Sequence, residues 1–227
     1  MRRGTTKKDI TMKKKIILNS LVLAATALAL TAAARADTVA DTAPAVPTAS
    51  APLGLLGQTY AGLSYSYVHL ESSPVNADRY SFEYNQPLAA GFDAVFNYDR
   101  TQDHLLAGDR PYRQAFDGTL RAFSNAYAWG KPYLEGGLGY DWTKAAGLKD
   151  HSFAWIAGAG VEFQATPALT VTPFIRYERT NGFADRNTAD YGVKANYWLT
   201  TQWAVTAALS RDDAQNLSYK IGVNCRF

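Results

Sequence analysis

Three histidines give this chain its most direct potential for acid–base chemistry, because imidazole is the side chain that titrates near neutral pH. His69, His104 and His151 all lie beside polar segments, and two of them directly follow an aspartate, as Asp103-His104 and Asp150-His151. A carboxylate can orient a histidine that acts as a general base. Adjacent residues of a strand point to opposite faces, however, so neither pair forms a dyad by itself. We therefore expect no catalytic residue, no cofactor and no metal.

A second set of side chains is charged and follows a regular pattern, in which each member comes directly after an apolar residue. The set consists of Glu83, Asp117, Arg121, Glu135, Glu162, Arg176, Glu178 and Lys194. Because side chains alternate along a strand, this spacing places charges on the face opposite an apolar one. Charges that are enclosed together are expected to pair, since an isolated buried charge is costly. The pattern predicts an inward-facing charge network, which either is structural or lines a narrow hydrophilic pore.

Ten alternating segments could hold these charges in place. From Gly57 onward no long helical period occurs, and short alternating segments are separated by polar or Gly/Pro-containing stretches, as is typical of strands. The predicted strands are 58–70, 79–87, 91–100, 113–124, 132–143, 152–164, 168–179, 188–199, 202–210 and 217–227. In the last segment every second residue from Leu217 to Phe227 is apolar. The body of the chain is therefore predicted to be all-β.

The number and facing of these segments favour a transmembrane antiparallel up-and-down β-barrel. One face is rich in Tyr, Phe and Trp, as a lipid-facing surface with aromatic girdles would be, and the other carries charges and glycines. A soluble β-sandwich also alternates and is the competing interpretation. We predict about ten strands within residues 58–227. A count of eight is the alternative, because the boundaries between residues 113 and 131 are weakly marked.

The N-terminus has the features of a secretory signal peptide. Met12 is followed by three lysines, an apolar run over 16–34 and the small-residue site Ala34-Arg35-Ala36. We interpret residues 1–36 as a signal peptide with an upstream extension, with Met12 as the natural start and cleavage after Ala36. Residues 37–57, rich in Ala, Pro, Thr and Ser, are interpreted as a flexible leader.

Removal of this signal changes the charge of the chain. Residues 1–36 hold eight basic side chains and one acidic side chain, so the remainder has 15 basic and 19 acidic residues and is net negative. The basic character of the whole sequence therefore belongs to the targeting segment. We expect no nucleic-acid partner. The single cysteine, Cys225, cannot form an internal disulfide.

The last eight residues, Lys220–Phe227, resemble the C-terminal sorting signal of bacterial outer-membrane barrels. Lys220, Gly222, Cys225 and Phe227 occupy its polar, glycine, apolar and terminal aromatic positions. Cysteine is unusual at the third of these. Residues 133–140 and 172–177 are also similar in style to small OmpA/OmpX-like barrels of the porin-like superfamily. The resemblance covers about 58–227.

This resemblance implies a location in the outer membrane of a Gram-negative bacterium. It also implies contact with outer-membrane lipids and lipopolysaccharide, and assembly by the barrel-assembly machinery with periplasmic chaperones, and we favour a monomer. We expect a non-enzymatic structural or surface protein, or a narrow passive channel for small hydrophilic solutes. The alternatives are a rim-located enzyme that modifies lipid A or is omptin-like, with a histidine as its base, and an adhesin that binds through its loops.

Overall fold

A computed structural model of the chain describes residues 54–71, 76–104, 111–145, 148–181 and 186–227, all within one unit that spans Ser50–Phe227. The predicted signal peptide and the predicted leader up to residue 53 lie outside the described residues. Every regular element that the structure describes is a strand, and no helix in that part of the chain is long and apolar enough to cross a membrane. The strands are β1 (Tyr60–His69), β2 (Ala77–Ala89), β3 (Phe92–Asp103), β4 (Tyr112–Phe123), β5 (Lys131–Ala145), β6 (Leu148–Thr166), β7 (Leu169–Asn181), β8 (Arg186–Trp198), β9 (Trp203–Asp212) and β10 (Leu217–Arg226).

The ten strands form a closed antiparallel barrel in which each strand pairs with its neighbours in sequence and β1 pairs with β10. The predicted ten-stranded up-and-down barrel is confirmed, and the eight-stranded alternative is wrong. The weakly marked region contains two separate strands, because β4 and β5 pair without interruption from Tyr112 opposite Lys144 to Phe123 opposite Tyr133. Closure leaves no strand edge without a partner, which is a requirement for strands in lipid.

Two ends of the barrel can be distinguished by their connections. We call the end with the β1–β2, β3–β4, β5–β6, β7–β8 and β9–β10 connections the loop end, and the opposite end the turn end. The predicted loop 144–151 is wrong, because β5 continues to Ala145 and β6 begins at Leu148. Lys144, Lys149 and His151 stand at outward positions in this stretch, so the alternation of hydrophobicity is lost while the backbone ladder continues.

The two faces of the wall have the predicted polarity. Exposed outward side chains include Leu63, Leu120, Leu134, Phe153 and Ile221, each at least 60% exposed. The inward positions hold buried polar residues such as Ser66, Asn85, Asp93 and Asn196. An apolar exterior around a polar interior is the reverse of a soluble domain and is the arrangement of a transmembrane barrel.

Candidate functional site

The lumen of the barrel contains a cavity of about 250 Å³ that lies toward the loop end. Charged side chains of both signs line it from most strands. They include seven of the eight predicted network residues: Glu83, Asp117, Arg121, Glu135, Arg176, Glu178 and Lys194. Glu162 lies elsewhere, at the turn end. The cavity is therefore the place where most of the chemistry of this chain is concentrated.

Ion pairs on the β4–β7 side cross the lumen rather than following the wall. Arg176 Nη2 of β7 lies 2.8 Å from Asp117 Oδ2 of β4, and Arg176 Nη1 lies 4.0 Å from Glu135 Oε1 of β5. Nearer the loop end, Arg113 of β4 pairs with Glu178 of β7 and donates to Asp141 Oδ2 at 2.6 Å. Except for Arg113–Asp141, which joins the neighbouring strands β4 and β5, these contacts link strands that are not neighbours in the sheet, so they brace the barrel against deformation of its cross-section.

Strand register explains how these groups meet. Arg121 lies directly opposite Glu135, and its Nη2 donates to Glu135 Oε2 at 2.8 Å. Glu135 in turn lies opposite Gly158, which lies opposite Arg176. A Cβ atom at Gly158 would lie 2.8 Å from Glu135 Oε1. The missing side chain at this position therefore gives Arg176 and Glu135 room to approach each other over β6.

Arg121 is also held by aromatic contact. Its Cζ atom lies 4.9 Å from the centroid of the Tyr133 ring, a distance at which a guanidinium and an aromatic face attract each other. Tyr60, which is fully buried, donates its hydroxyl proton to Glu83. Tyr60 and Tyr133 thus both contact charged residues of the lumen.

The turn end of the lumen is closed by residues 54–57, which we call the pre-β1 segment. The Leu55 N–H donates to Glu162 Oε2 at 2.9 Å, and the Gly57 N–H donates to Asp93 Oδ2 at 2.9 Å. Leu55 packs with Tyr60, Trp198 and Ala204, and both Leu55 and Leu56 are 3% exposed. The predicted leader extended to residue 57, so its last four residues lie in contact with the barrel.

A hydrogen-bonded cluster of amides and hydroxyls completes this closure. Asn196 Oδ1 accepts from Thr206 Oγ1 at 2.7 Å and from Asn224 Nδ2 at 3.1 Å, and Asn224 Nδ2 also lies 2.6 Å from Thr206 Oγ1. Asn196 Nδ2 donates to Thr170 Oγ1 at 3.4 Å. The layer separates the cavity from a second space of about 510 Å³ at the turn end, and the two share no lining residue.

The four residues of the predicted sorting signal lie on β10 and just after it. Lys220 lines the cavity, Cys225 is half-buried on the outer face, and Phe227 is exposed while its N–H donates to Thr59 O at 3.0 Å. Gly222 lies between Ser64 of β1 and Thr206 of β9. A Cβ atom there would collide with Leu63 O and with Ser64 Cβ. Glycine is thus required for close approach of the first and last strands.

The three histidines lie at the loop end but are not brought together. His104 Nε2 lies 2.5 Å from Asp78 Oδ2, and Asp78 Oδ1 accepts from the Tyr65 hydroxyl at 2.6 Å. His69 Nδ1 lies 2.9 Å from Asn76 Oδ1, and His151 stacks on Tyr140. Asp78 of the neighbouring strand β2 is thus a partner of His104. Among the described residues, no group of three or more His, Cys, Asp or Glu side chains could hold a metal ion.

Several lumen residues were absent from the sequence prediction. Arg113 lies at the very start of its predicted segment, directly after a polar loop, so only Tyr112 on its N-terminal side hinted at the alternation. Tyr60 and Tyr133 face inward although they are aromatic, and only their even spacing from Gly62 and Glu135 could have revealed this. Residue type was therefore a weaker guide to facing than position along the strand.

Comparison with known proteins gives distant likenesses. No family model matches the sequence. The chain is 28% identical over 139 residues to the LPS-assembly protein LptD of Cupriavidus pinatubonensis, and this match covers 60% of the chain but only 16% of that protein. Because the chain spans so small a part of that relative, the match does not extend to the whole of that protein.

Several solved structures are similar to this chain at low sequence identity. The translocator domain of autotransporter NalP from Neisseria meningitidis has a TM-score of 0.47 at 12% identity, covering 92% of this chain and 98% of that one. Neisserial surface protein A has a TM-score of 0.41 at 14% identity, with coverages of 74% and 97%. OprG of Pseudomonas aeruginosa, an outer membrane protein, has a TM-score of 0.41 at 11% identity, covering 77% of this chain and 98% of that one. By its own strand order, closure and facing, this chain is a ten-stranded up-and-down transmembrane β-barrel, the architecture that its resemblance to small outer-membrane barrels implied.

Proposed function

We propose that this chain is a non-enzymatic structural or surface protein of the bacterial outer membrane, with a lumen that is closed at the turn end. The closed layer formed by the pre-β1 segment, Tyr60 and the Asn196 cluster carries this proposal. Tyr60, Asn85 and Asn196 in that layer have no exposed surface. A solute that entered from the loop end would meet this layer, so the barrel serves as a rigid membrane scaffold that presents its loops.

The outward face supports the membrane location. Large apolar side chains cover the middle of the wall, and aromatic residues such as Tyr80, Trp155 and Trp203 lie toward its ends. Tyr and Trp are favoured at both interfaces of a bilayer. The signal peptide and the C-terminal octet that were inferred from the sequence both support export to the outer membrane. Assembly by the barrel-assembly machinery and a monomeric state belong to the same proposal, since a closed barrel offers no free edge to a second copy.

A narrow passive channel is the second candidate, and one observation favours it. The cavity at the loop end is polar and charged, and the pre-β1 segment in the closed layer is held by only three described hydrogen bonds of its backbone to side chains of the barrel. Besides the contacts of Leu55 and Gly57, Lys131 Nζ donates to Leu56 O at 3.3 Å. Burial of two leucines stabilises such a segment by about 3–6 kcal/mol at most. Displacement of the segment would remove part of the layer between the cavity and the space at the turn end.

Conductance of the purified mature protein in planar bilayers distinguishes the two candidates. The closed barrel is expected to give no steps. Leu55→Asp places a carboxylate beside Glu162 and should release the pre-β1 segment. Leu199→Asp, at the exposed Leu199 of the β8–β9 turn, is the matched control for charge at the same end. Frequent steps in the unmodified protein would overturn the closed-scaffold proposal, and steps confined to Leu55→Asp would identify a channel that this segment closes.

Fractionation tests the membrane location separately. Cells that express the full-length chain are expected to contain it in the outer-membrane fraction without residues 1–36. Recovery in the inner membrane or in soluble fractions would contradict the proposed location.

A further inference from the structure

Charged residues on the outer face of the barrel are confined to one end. At the outward positions of the described strands, acidic and basic side chains occur only near the loop end. They are the basic residues Arg100, Lys144, Lys149, Arg179 and Arg211 and the acidic residue Asp78. The corresponding positions at the turn end of these strands hold apolar or aromatic residues such as Phe92, Tyr197 and Trp203. The two rims of the apolar band therefore present different chemistry to a membrane.

Three of these basic residues share one local arrangement. Arg100 lies directly opposite Tyr80, Arg179 lies opposite Trp155, and Arg211 lies opposite Tyr191. All three arginines are exposed, and the three aromatic partners are 54%, 59% and 45% exposed in the same order. The pairs lie on β2/β3, β6/β7 and β8/β9, so they are distributed around the barrel. Repetition at three places indicates a common role.

The aromatic partners fix the depth of these arginines in a bilayer. Exposed Tyr and Trp side chains lie at the level where the acyl chains meet the headgroups. Tyr98 and Tyr177 are the next outward residues toward the membrane centre on the strands of Arg100 and Arg179. The guanidinium groups consequently lie at the level of the lipid headgroups, beside the aromatic girdle.

Acidic partners on this surface are scarce. Asp78 is the single carboxylate at an outward position of the described strands, and it already binds the Tyr65 hydroxyl and His104. The described contacts of two of the arginines are uncharged: Arg100 lies over the Tyr112 ring at 5.8 Å, and Arg211 Nη2 donates to Gln215 Oε1 at 3.3 Å. A guanidinium presents a planar fork of donors that matches phosphate oxygens, so an anionic headgroup complements this surface.

We propose that Arg100, Arg179 and Arg211, each beside an exposed aromatic side chain, bind the phosphate groups of lipids in the leaflet at the loop end. The inference rests on the proposed outer-membrane location and takes the loop end as the end that faces the cell exterior, so that the leaflet there supplies the phosphates of lipid A. The aromatic ring packs on the acyl region of the lipid, and the neighbouring arginine engages its phosphate.

Binding of lipid A to the full mature protein in detergent tests this proposal. Native mass spectrometry would compare diphosphoryl lipid A with the same lipid after removal of both phosphates. We expect the diphosphoryl form to bind more tightly, and each Arg→Gln substitution to weaken its binding about fivefold, as expected for the loss of one guanidinium–phosphate hydrogen bond. Arg100→Gln, Arg179→Gln and Arg211→Gln together should weaken it about a hundredfold.

Lys149→Gln is the matched control, because it removes an exposed positive charge at the same end that lies opposite Lys144 rather than an aromatic residue. Its effect is expected to be less than twofold.

Equal binding of the phosphorylated and dephosphorylated lipids, or unchanged binding by a folded triple variant, would overturn the proposal. Folding is checked by heat-modifiable mobility in gels. Fractionation tests the membrane location separately. If the chain is found in the outer membrane and the triple variant still binds lipid A, this inference is refuted while the proposed location stands.

Discussion

Arg176 of β7 and Asp117 of β4 form an ion pair across the lumen, with Nη2 2.8 Å from Oδ2, although two strands separate them in the sheet. The same guanidinium approaches Glu135, so one cation serves two carboxylates in a largely enclosed space. This arrangement makes Arg176 the central residue of the charge network on that side of the barrel.

Loss of Arg176 is therefore expected to destabilise the barrel strongly. Arg176→Met would remove the positive charge that Asp117 and Glu135 share. The free energy of unfolding should fall by about 3 kcal/mol, because breaking a buried ion pair leaves an unpaired charge. Urea unfolding in lipid vesicles, followed by tryptophan fluorescence, measures this cost. The double variant Arg176→Met/Asp117→Asn should recover part of the loss. Equal stability of Arg176→Met and the parent would show that the ion pair contributes nothing.

Substitution of Val193 tests the assignment of the lipid-facing surface. Val193 is exposed near the middle of β8, so Val193→Arg should cost about 2–4 kcal/mol if the residue lies near the bilayer midplane. Val193→Leu is the control and should change stability by much less. The free energy of unfolding from bilayers is the measurement. If Val193→Arg folds as readily as the parent, the facing assignment is wrong.

Comparison of Gly222→Ala with Gly192→Ala tests whether Gly222 acts only by allowing close packing or also as part of the predicted sorting signal. A Cβ atom at Gly222 would collide with Leu63 O, and one at Gly192 would collide with Leu209 O. We expect Gly222→Ala and Gly192→Ala to destabilise the purified barrel by similar amounts. Lower outer-membrane levels for Gly222→Ala than for Gly192→Ala, measured by quantitative immunoblotting, would then reflect recognition of the C-terminal octet. Equal levels would assign a purely steric role to Gly222.

Phe227 provides a second test of the sorting signal. Deletion of this residue removes the exposed terminal ring and the hydrogen bond from its N–H to Thr59 O. We expect reduced assembly in cells, measured as the fraction of chain that resists extraction from the outer membrane. Phe227→Tyr keeps the ring and the backbone contact and should assemble normally. Full outer-membrane levels of the deletion variant would argue against the signal.

The histidines allow a test of the rim-enzyme hypothesis. His69, His104 and His151 are each replaced by Ala in turn, and we expect no change in the lipid A profile of the cells or in cleavage of test peptides. The physical reason is that His104 is bound to Asp78, which also accepts a hydrogen bond from Tyr65, and that no serine or threonine nucleophile is among the described partners of His104. A changed lipid A profile in His104→Ala but not in His69→Ala would revive the enzyme hypothesis.

Alternation predicted about ten strands, with a count of eight left open, and it predicted the facing of most residues. Phe116, Leu120 and Ala122 lie outward, and Asp117 and Arg121 lie inward, as the period of two requires. The pairing of neighbouring strands also follows from the up-and-down order. The wall of the barrel is thus encoded locally, by the type of residue at every second position.

Contacts across the lumen could not be predicted in this way. The approach of Arg113 to Glu178 depends on the stagger of strands around the ring, which no single segment contains. The pre-β1 segment was hidden for a different reason, because two leucines and two glycines in a Pro-rich stretch carry no period. Its position depends on Glu162 and Asp93, which accept hydrogen bonds from its backbone rather than from its side chains.

The seam between β1 and β10, where Tyr60 lies opposite Arg226, has a consequence for incomplete chains. The ring can close only after the last residues have been synthesised, because the pairing of β1 with β10 joins the first and the last strand. A chain that ended early would keep two open strand edges with unpaired backbone groups and an apolar outer surface. Such edges are templates for aggregation, so premature termination should yield aggregates and not a smaller barrel.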